Sequence, residues 1–150
     1  MQKTITTDMA FGFDGEHANG QPFRADGYIA TSEVTFGQPA FADTAVDGFP
    51  AAKSATSGTY IGMFVGPHQH VKMELPSDTH SITVPAGTAV QVASRGCWYT
   101  SWSEALSGIA VGSKLAVANG KYKIVAASET VVAEVVALDD TKKRAMIRLV

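Results

Sequence analysis

Apolar residues recur at every second position in short runs along this chain. Ile82 and Val84 flank Thr83, and Val90 and Val92 flank Gln91. That spacing predicts strands with one buried and one wet face. Pro85-Ala86-Gly87 separates the two runs and reads as a turn, because proline presets φ and glycine accepts φ > 0. A second break is expected at Ser94-Arg95-Gly96, before the aromatic run Cys97-Trp98-Tyr99. The rest of the chain is organised around this stretch. Residues 58–65 predict a strong strand whose Gly62 marks a bulge or a close backbone approach. Val71, Met73 and Leu75 alternate with Lys72 and Glu74, giving another half-buried strand. Residues 113–117 and 121–126 flank Asn119-Gly120, the strongest short-range hairpin signal, since a type I′ turn needs φ > 0 at both central positions. Residues 131–138 and 145–150 form a last hairpin around 139–144, with Lys142-Lys143-Arg144 at its solvated tip.

The regular part is expected to begin at Tyr28 and run to Phe36. Gly37-Gln38-Pro39 interrupts it, and Ala40-Phe41-Ala42 resumes a short strand. Residues 43–57, broken at Gly48-Phe49-Pro50, read as an exposed loop, and so long a loop in a compact domain is functional or mobile. Residues 102–106 fit either one helical turn or a loop. The sum is about nine or ten short strands, no long helix and no repeat of fixed period. This predicts an all-β protein, a single small β-barrel or jelly-roll-like sandwich domain.

Ahead of the first strand the pattern is different. Residues 11–27 are rich in glycine and carry the turn dipeptides Asp14-Gly15, Asn19-Gly20 and Asp26-Gly27. They also carry Phe11, Phe13 and Phe23, and a solvated linker seldom holds three large aromatics. Either these rings fold back onto the domain's own core, or they dock on another subunit. The division expected is an extended N-terminal arm over residues 1–26 and a β domain over 27–150.

Composition narrows the function. The charged fraction is 17%, below the ~25% usual for a soluble domain, as suits a surface covered by copies or a partner. A net charge of −2 from 12 basic and 14 acidic residues offers no basic patch, and no nucleic-acid partner is expected. There is no apolar signal core and no run approaching ~18 apolar residues, so neither a secretion signal nor a membrane span is expected, and the product is made in the cytoplasm. The single Cys97 excludes an internal disulfide framework and reads as a small buried hydrophobe.

Candidate chemistry is sparse. His68 and His70 share a strand face, and His80 with Glu74 would be needed to complete a metal site of cupin type. His-x-His pairs are common by chance, and solvated strand-edge histidines are the preferred reading, with no metal or cofactor expected. There is no G-x-S-x-G elbow, Cys97 lacks a local activating partner, and Glu33, Glu74, Glu104, Glu129 and Glu134 fall on different elements. Asp14-Gly15-Glu16 fails the calcium-loop pattern. No catalytic residue is expected. Trp98, Tyr99 and Trp102 form the one aromatic cluster. It could stack a sugar in a carbohydrate-binding β module or anchor an interface, or it could fill the core; core or subunit interface is favoured over a glycan site.

With these residues in place, the chain resembles the cement or head-decoration proteins of tailed bacteriophages. The likeness lies in Glu33-Val34-Thr35-Phe36-Gly37-Gln38-Pro39-Ala40-Phe41, the strand at 61–65, and Val84-Pro85-Ala86-Gly87-Thr88-Ala89-Val90-Gln91-Val92 with Ser94-Arg95-Gly96. It ends in Gly112-Ser113-Lys114-Leu115-Ala116-Val117 and Gly120-Lys121-Tyr122. It spans roughly residues 28–150; Ser113 stands where the family more often has an acidic residue, and the arm is poorly covered. The resemblance implies a non-enzymatic virion protein on the outer surface of an icosahedral head. It would bridge major capsid protein subunits and associate with itself as a dimer or trimer at local symmetry axes. Phe11, Phe13 and Phe23 would anchor the arm, and positions around Trp98, Tyr99 and Trp102 would serve the interfaces.

Overall fold

The structure, a computed structural model, describes residues 12–18, 22–66 and 81–150. Phe11, Glu74, His68, His70, His80 and the strand expected at 71–75 lie outside the described residues. Eleven strands follow in order: β1 (Arg24–Ala30), β2 (Val34–Thr35), β3 (Pro39–Val46), β4 (Phe49–Lys53), β5 (Tyr60–Val65), β6 (Thr83–Val84), β7 (Ala89–Ser101), β8 (Lys114–Ala118), β9 (Lys121–Ile124), β10 (Ala133–Leu138) and β11 (Arg144–Leu149). Among the described residues there is no helix, and 102–106 is a loop. The protein is all-β, and its main sheet is mixed.

That sheet has nine strands in the order β1-β4-β3-β5-β7-β11-β10-β8-β9, with β2 and β6 paired apart from it. β1 lies parallel to β4 and also antiparallel to β7. The pairings β1–β4, β4–β3, β3–β5, β5–β7 and β7–β1 therefore close a circuit, in which these five strands leave no free lateral edge to the sheet.

β7 is the axis of the architecture. Its first half pairs with β1 on one side and β5 on the other, and its second half pairs with β11. Val90 and Val92 pack with Ala30, Phe36, Ala52 and Phe64 inside the circuit. Ala93 and Trp98 turn to a second core with Met63, Leu115, Tyr122 and Ile147. Cys97 and Tyr99 face a third, small cluster with Ala18. Ala93 and Trp98 are five residues apart yet share a core, which a strict two-residue alternation forbids. The extra residue is Ser94: Arg24 pairs with Arg95 but Ala25 with Ala93. Such a bulge inverts the facing of every later side chain, and Gly96 beside it holds φ 110°. The break expected at 94–96 is thus a bend within one continuous strand.

Two further expectations are corrected. Regular structure starts at Arg24 rather than Tyr28. Residues 43–57 are not a loop, because β3 runs to Val46 and turns at Asp47-Gly48 into β4, with Val46 opposite Phe49. Asp47 and Gly48 both take positive φ, 49° and 82°, as a two-residue hairpin turn requires. Gly62 behaves as its sequence context predicts. It lies at the irregularity between β3 and β5, and a Cβ there would overlap the Ala93 carbonyl oxygen. The hairpins β8–β9, through Asn119 (φ 51°) and Gly120 (φ 72°), and β10–β11 form where their alternation places them.

Candidate functional site

Residues 13–16 form a tight turn. The Glu16 N–H donates to the Phe13 carbonyl at 2.9 Å, and the Phe13 N–H donates to the Glu16 carboxylate at 2.9 Å. Gly15 takes φ 75°, and a Cβ on it would sit 2.8 Å from Phe36 Cβ, so only glycine fits. From this turn the chain runs along β7 as an added rung. Gly15 and Ala18 donate to the Tyr99 and Cys97 carbonyls at 2.8 Å each, Tyr99 donates to the Glu16 carbonyl at 3.1 Å, and Gly66 donates to the Gly15 carbonyl at 3.1 Å. His17 bridges Trp98 in antiparallel fashion. Without this segment, Cys97 to Tyr99 would present an open strand edge.

A polar anchor fixes the segment. Asp14 is only 2% exposed. Ser81 Oγ donates to its Oδ2 at 2.7 Å, and Ser101 Oγ donates to the same oxygen. Arg144 Nη2 lies 3.8 Å from Oδ1 and also donates to the Gly12 carbonyl. A buried carboxylate is tolerated only with such partners. Arg144, expected at a solvated tip, is instead largely covered at the start of β11, while Lys142 and Lys143 are exposed. No local motif signals this anchor, because its partners come from positions 81, 101 and 144.

The aromatic residues singled out from sequence separate into two groups. Trp98 is 1% exposed, its indole N–H donating to the Arg95 carbonyl at 3.1 Å. Trp102 is half-buried against the same core and donates to the Tyr122 carbonyl at 3.1 Å. Tyr99 is buried on the opposite face. The three do not form one platform, and neither Trp98 nor Tyr99 offers a ring face to a sugar. Phe13 and Phe23 are 48% and 44% exposed. Phe23 joins His17 and Trp98 in a ring cluster with centroids 4.5 to 5.5 Å apart, so its ring is packed in part and exposed in part.

Other exposed apolar side chains escaped the sequence reading. Val46 and Phe49 sit at the β3–β4 turn, where every residue from 44 to 50 is exposed, and Val111 and Val150 are exposed elsewhere. The hairpin is stiff at its base. Asp43 accepts from Thr31 Oγ1 at 2.6 Å and Lys53 Nζ at 3.1 Å; the Thr31 hydroxyl, the Thr44 N–H and the lysine together hold its carboxyl down at about 2. A groove of about 530 Å³, lined by Pro22, Phe23, Arg24, Ser94, Arg95 and Val150, opens beside the start of β1.

Between the two halves of the molecule, Tyr60 and Tyr122 place their hydroxyls 3.2 Å apart. Burial pushes Tyr60 up to about 12 and Tyr122 well above the usual phenol value, where the neighbouring Tyr60 adds to the effect. Both stay neutral and serve the packing. Among the described residues no group of three or more His, Cys, Asp or Glu side chains converges as metal ligands. The arrangement is suited to holding another surface: a fixed N-terminal segment, half-exposed phenylalanines, a projecting apolar hairpin and an open groove with two arginines.

No curated protein matches the chain. A family model described as structural cement protein (E217 gp24/Pam3 gp6) matches residues 1–150, the whole length. The resemblance carried by the strand and turn motifs at 33–41, 84–96 and 112–122 thus extends through the N-terminal stretch, and the chain belongs to the phage structural cement protein family.

Proposed function

We propose that this protein binds the outer surface of an icosahedral phage head and bridges neighbouring major capsid protein subunits. It would stabilise the mature shell without any catalytic step. The observation that carries the reading is the family match over residues 1–150, on a domain whose buried carboxylate, Asp14, is used to hold its own N-terminal segment. Membership gives a structural role at a phage capsid; the outer face, the bridging of subunits and self-association as a dimer or trimer are the finer reading. In that reading the five-strand circuit is a small barrel. The arm spans residues 1–26, with Phe11, Phe13 and Phe23 as its anchors. Half-exposed Phe13 and Phe23 support it, since aromatic side chains supply much of the energy at interfaces. Trp98 and Tyr99 would then act from within, as the floor on which Phe23 and the segment rest. Attachment at many equivalent places on a shell multiplies weak contacts, because each raises the effective concentration of the next.

The test is co-sedimentation of the purified protein with undecorated mature heads, with immature proheads as the control. Saturation at a fixed number of copies per head is expected, and absence of binding to either shell would overturn the reading. Removal of residues 1–11 spares Asp14 and β1 and is expected to weaken binding while leaving the domain folded. Equal affinity of the shortened chain would remove Phe11 and the residues before it from the account, leaving Phe13 and Phe23 as the anchors to test.

A further inference from the structure

Six large apolar side chains are exposed among the described residues: Phe13, Phe23, Val46, Phe49, Val111 and Val150. Four of them belong to two features of opposite shape. Val46 and Phe49 face each other across the Asp47-Gly48 turn, at the tip of a hairpin exposed on both faces from residue 44 to 50. Phe23 and Val150 line the groove together with Arg24 and Arg95. Because β1 and β4 run parallel, with Ile29 beside Ala51, the tip at the start of β4 and the groove at the start of β1 lie towards the same end of the strand circuit.

We propose that this end is the self-association surface, with the hairpin tip of one copy seated in the groove of a second copy. The proposal rests on the cement reading's expectation of self-association and names the residues that would carry it. Shape and charge both favour the second copy as occupant. The tip is apolar around a single carboxylate, Asp47; the groove joins an apolar wall of Pro22, Phe23 and Val150 to a polar one that carries two guanidiniums. Arg24 is shared with Asp26 at 3.1 Å in a largely exposed pair, which exchanges partners at little cost. Arg95 is exposed on β7 next to the Ser94 bulge. The groove volume of about 530 Å³ is roomy enough for a phenylalanine ring with its flanking valine. Knob and hole at one end also satisfy two-fold symmetry, in which each copy gives its tip and receives the other's. The contact is small, so association in free solution is expected to be weak, in the micromolar range or above, and to strengthen where copies are arrayed.

The experiment is sedimentation equilibrium of the full chain across a concentration series, with Phe49→Ala, Asp47→Lys and Arg95→Asp. Phe49 is 64% exposed, so its truncation leaves the fold intact. Its loss is expected to weaken association at least tenfold, as for an anchor residue. Asp47→Lys and Arg95→Asp are each expected to weaken it alone and to restore it when the two variants are mixed, since both contacts of the mixed pair then join opposite charges. A wild-type chain that stays monomeric at several hundred micromolar, or Phe49→Ala associating as wild type, overturns the proposal. If Phe49→Ala keeps its association and loses only head binding, the hairpin meets the capsid and the proposal is equally overturned. Self-association through these residues without head binding would uphold the interface and refute the cement reading, so the two failures are distinct.

Discussion

Replacing Asp14 by alanine should release the N-terminal segment from β7 without unfolding the domain. The carboxylate accepts from two hydroxyls, Ser81 and Ser101, and faces Arg144 at 3.8 Å. A hydrogen bond to a charged group contributes about 1.5–3 kcal/mol, and removing one partner of a buried ion pair costs about 3–5 kcal/mol because the other charge is left uncompensated. The lower end applies here, since the Arg144 side chain is 13% exposed and keeps the Gly12 carbonyl. At about 1.4 kcal/mol per factor of ten, a loss near 3 kcal/mol is roughly a hundredfold rise in local opening. The amides of Gly15, Ala18 and Tyr99, whose bonds knit the segment to β7, report it directly. Their hydrogen exchange should accelerate about a hundredfold, while Ala42, bonded to the Thr59 carbonyl at 2.9 Å in the distant hairpin, keeps its rate. Asp14→Asn keeps an acceptor without the charge and should fall between. Exchange at the three amides within twofold of wild type in Asp14→Ala would refute the anchor.

Gly62→Ala drives a Cβ onto the Ala93 carbonyl, within 2.9 Å of both the Ala93 carbonyl carbon and Val92 Cγ1. The Ala93 carbonyl is strand backbone and cannot yield cheaply, so a loss of about 3 kcal/mol or more is expected in urea unfolding, and a loss below about 1 kcal/mol would contradict the close approach. Alkali should weaken the fold through Tyr60 and Tyr122. Their folded values lie above the ordinary phenol value of 10, so the unfolded chain loses these protons first. The stabilisation from Tyr60 is therefore complete below pH 10 and is lost as pH rises through about 12, and Tyr122 acts in the same direction. The shift at Tyr60 alone corresponds to about 2–3 kcal/mol. Denaturant midpoints at pH 9 and 11 should converge in Tyr60→Phe relative to wild type, and an unchanged pH slope in the variant would refute the assignment.

Much of the strand framework was legible in the sequence because its residues alternate. β11 and the first half of β10 bury one set of side chains and expose or half-expose the other, β5 stands out instead as a run buried from Gly62 to Val65, and Asn119-Gly120 dictates its hairpin. Where alternation fails, reading failed. The outer half of β3 and the start of β4 are exposed on both faces, so Thr44 to Pro50 carry no buried face to betray a strand. The Asp47-Gly48 pair between Val46 and Phe49 was the available signal, and the Gly48-Phe49-Pro50 break masked it. The bulge at Ser94 reverses the phase of β7 within one strand, which in sequence resembles an end. The anchor was invisible for a different reason: Asp14 is an ordinary turn residue by sequence, and its burial depends on Arg144, Ser101 and Ser81, far along the chain. The phenylalanines at 13 and 23, expected to anchor the arm, are half-exposed, whereas Trp98 and Tyr99, equally conspicuous in sequence, are buried.

β7 is flanked by a bonded neighbour on each side along nearly its whole run: β1 and β5 first, then the N-terminal segment and β11. A tensile load along such a strand is borne in shear, with many rungs strained together, whereas a load across a sheet margin peels rungs one after another. The domain is therefore mechanically anisotropic. It is toughest when pulled between the Pro85–Thr88 turn and the Ser101 end, and most easily unzipped from β9, at the margin of the sheet. A molecule built this way behaves as a tie rod with a direction, and the orientation in which it is mounted decides how much strain it can carry.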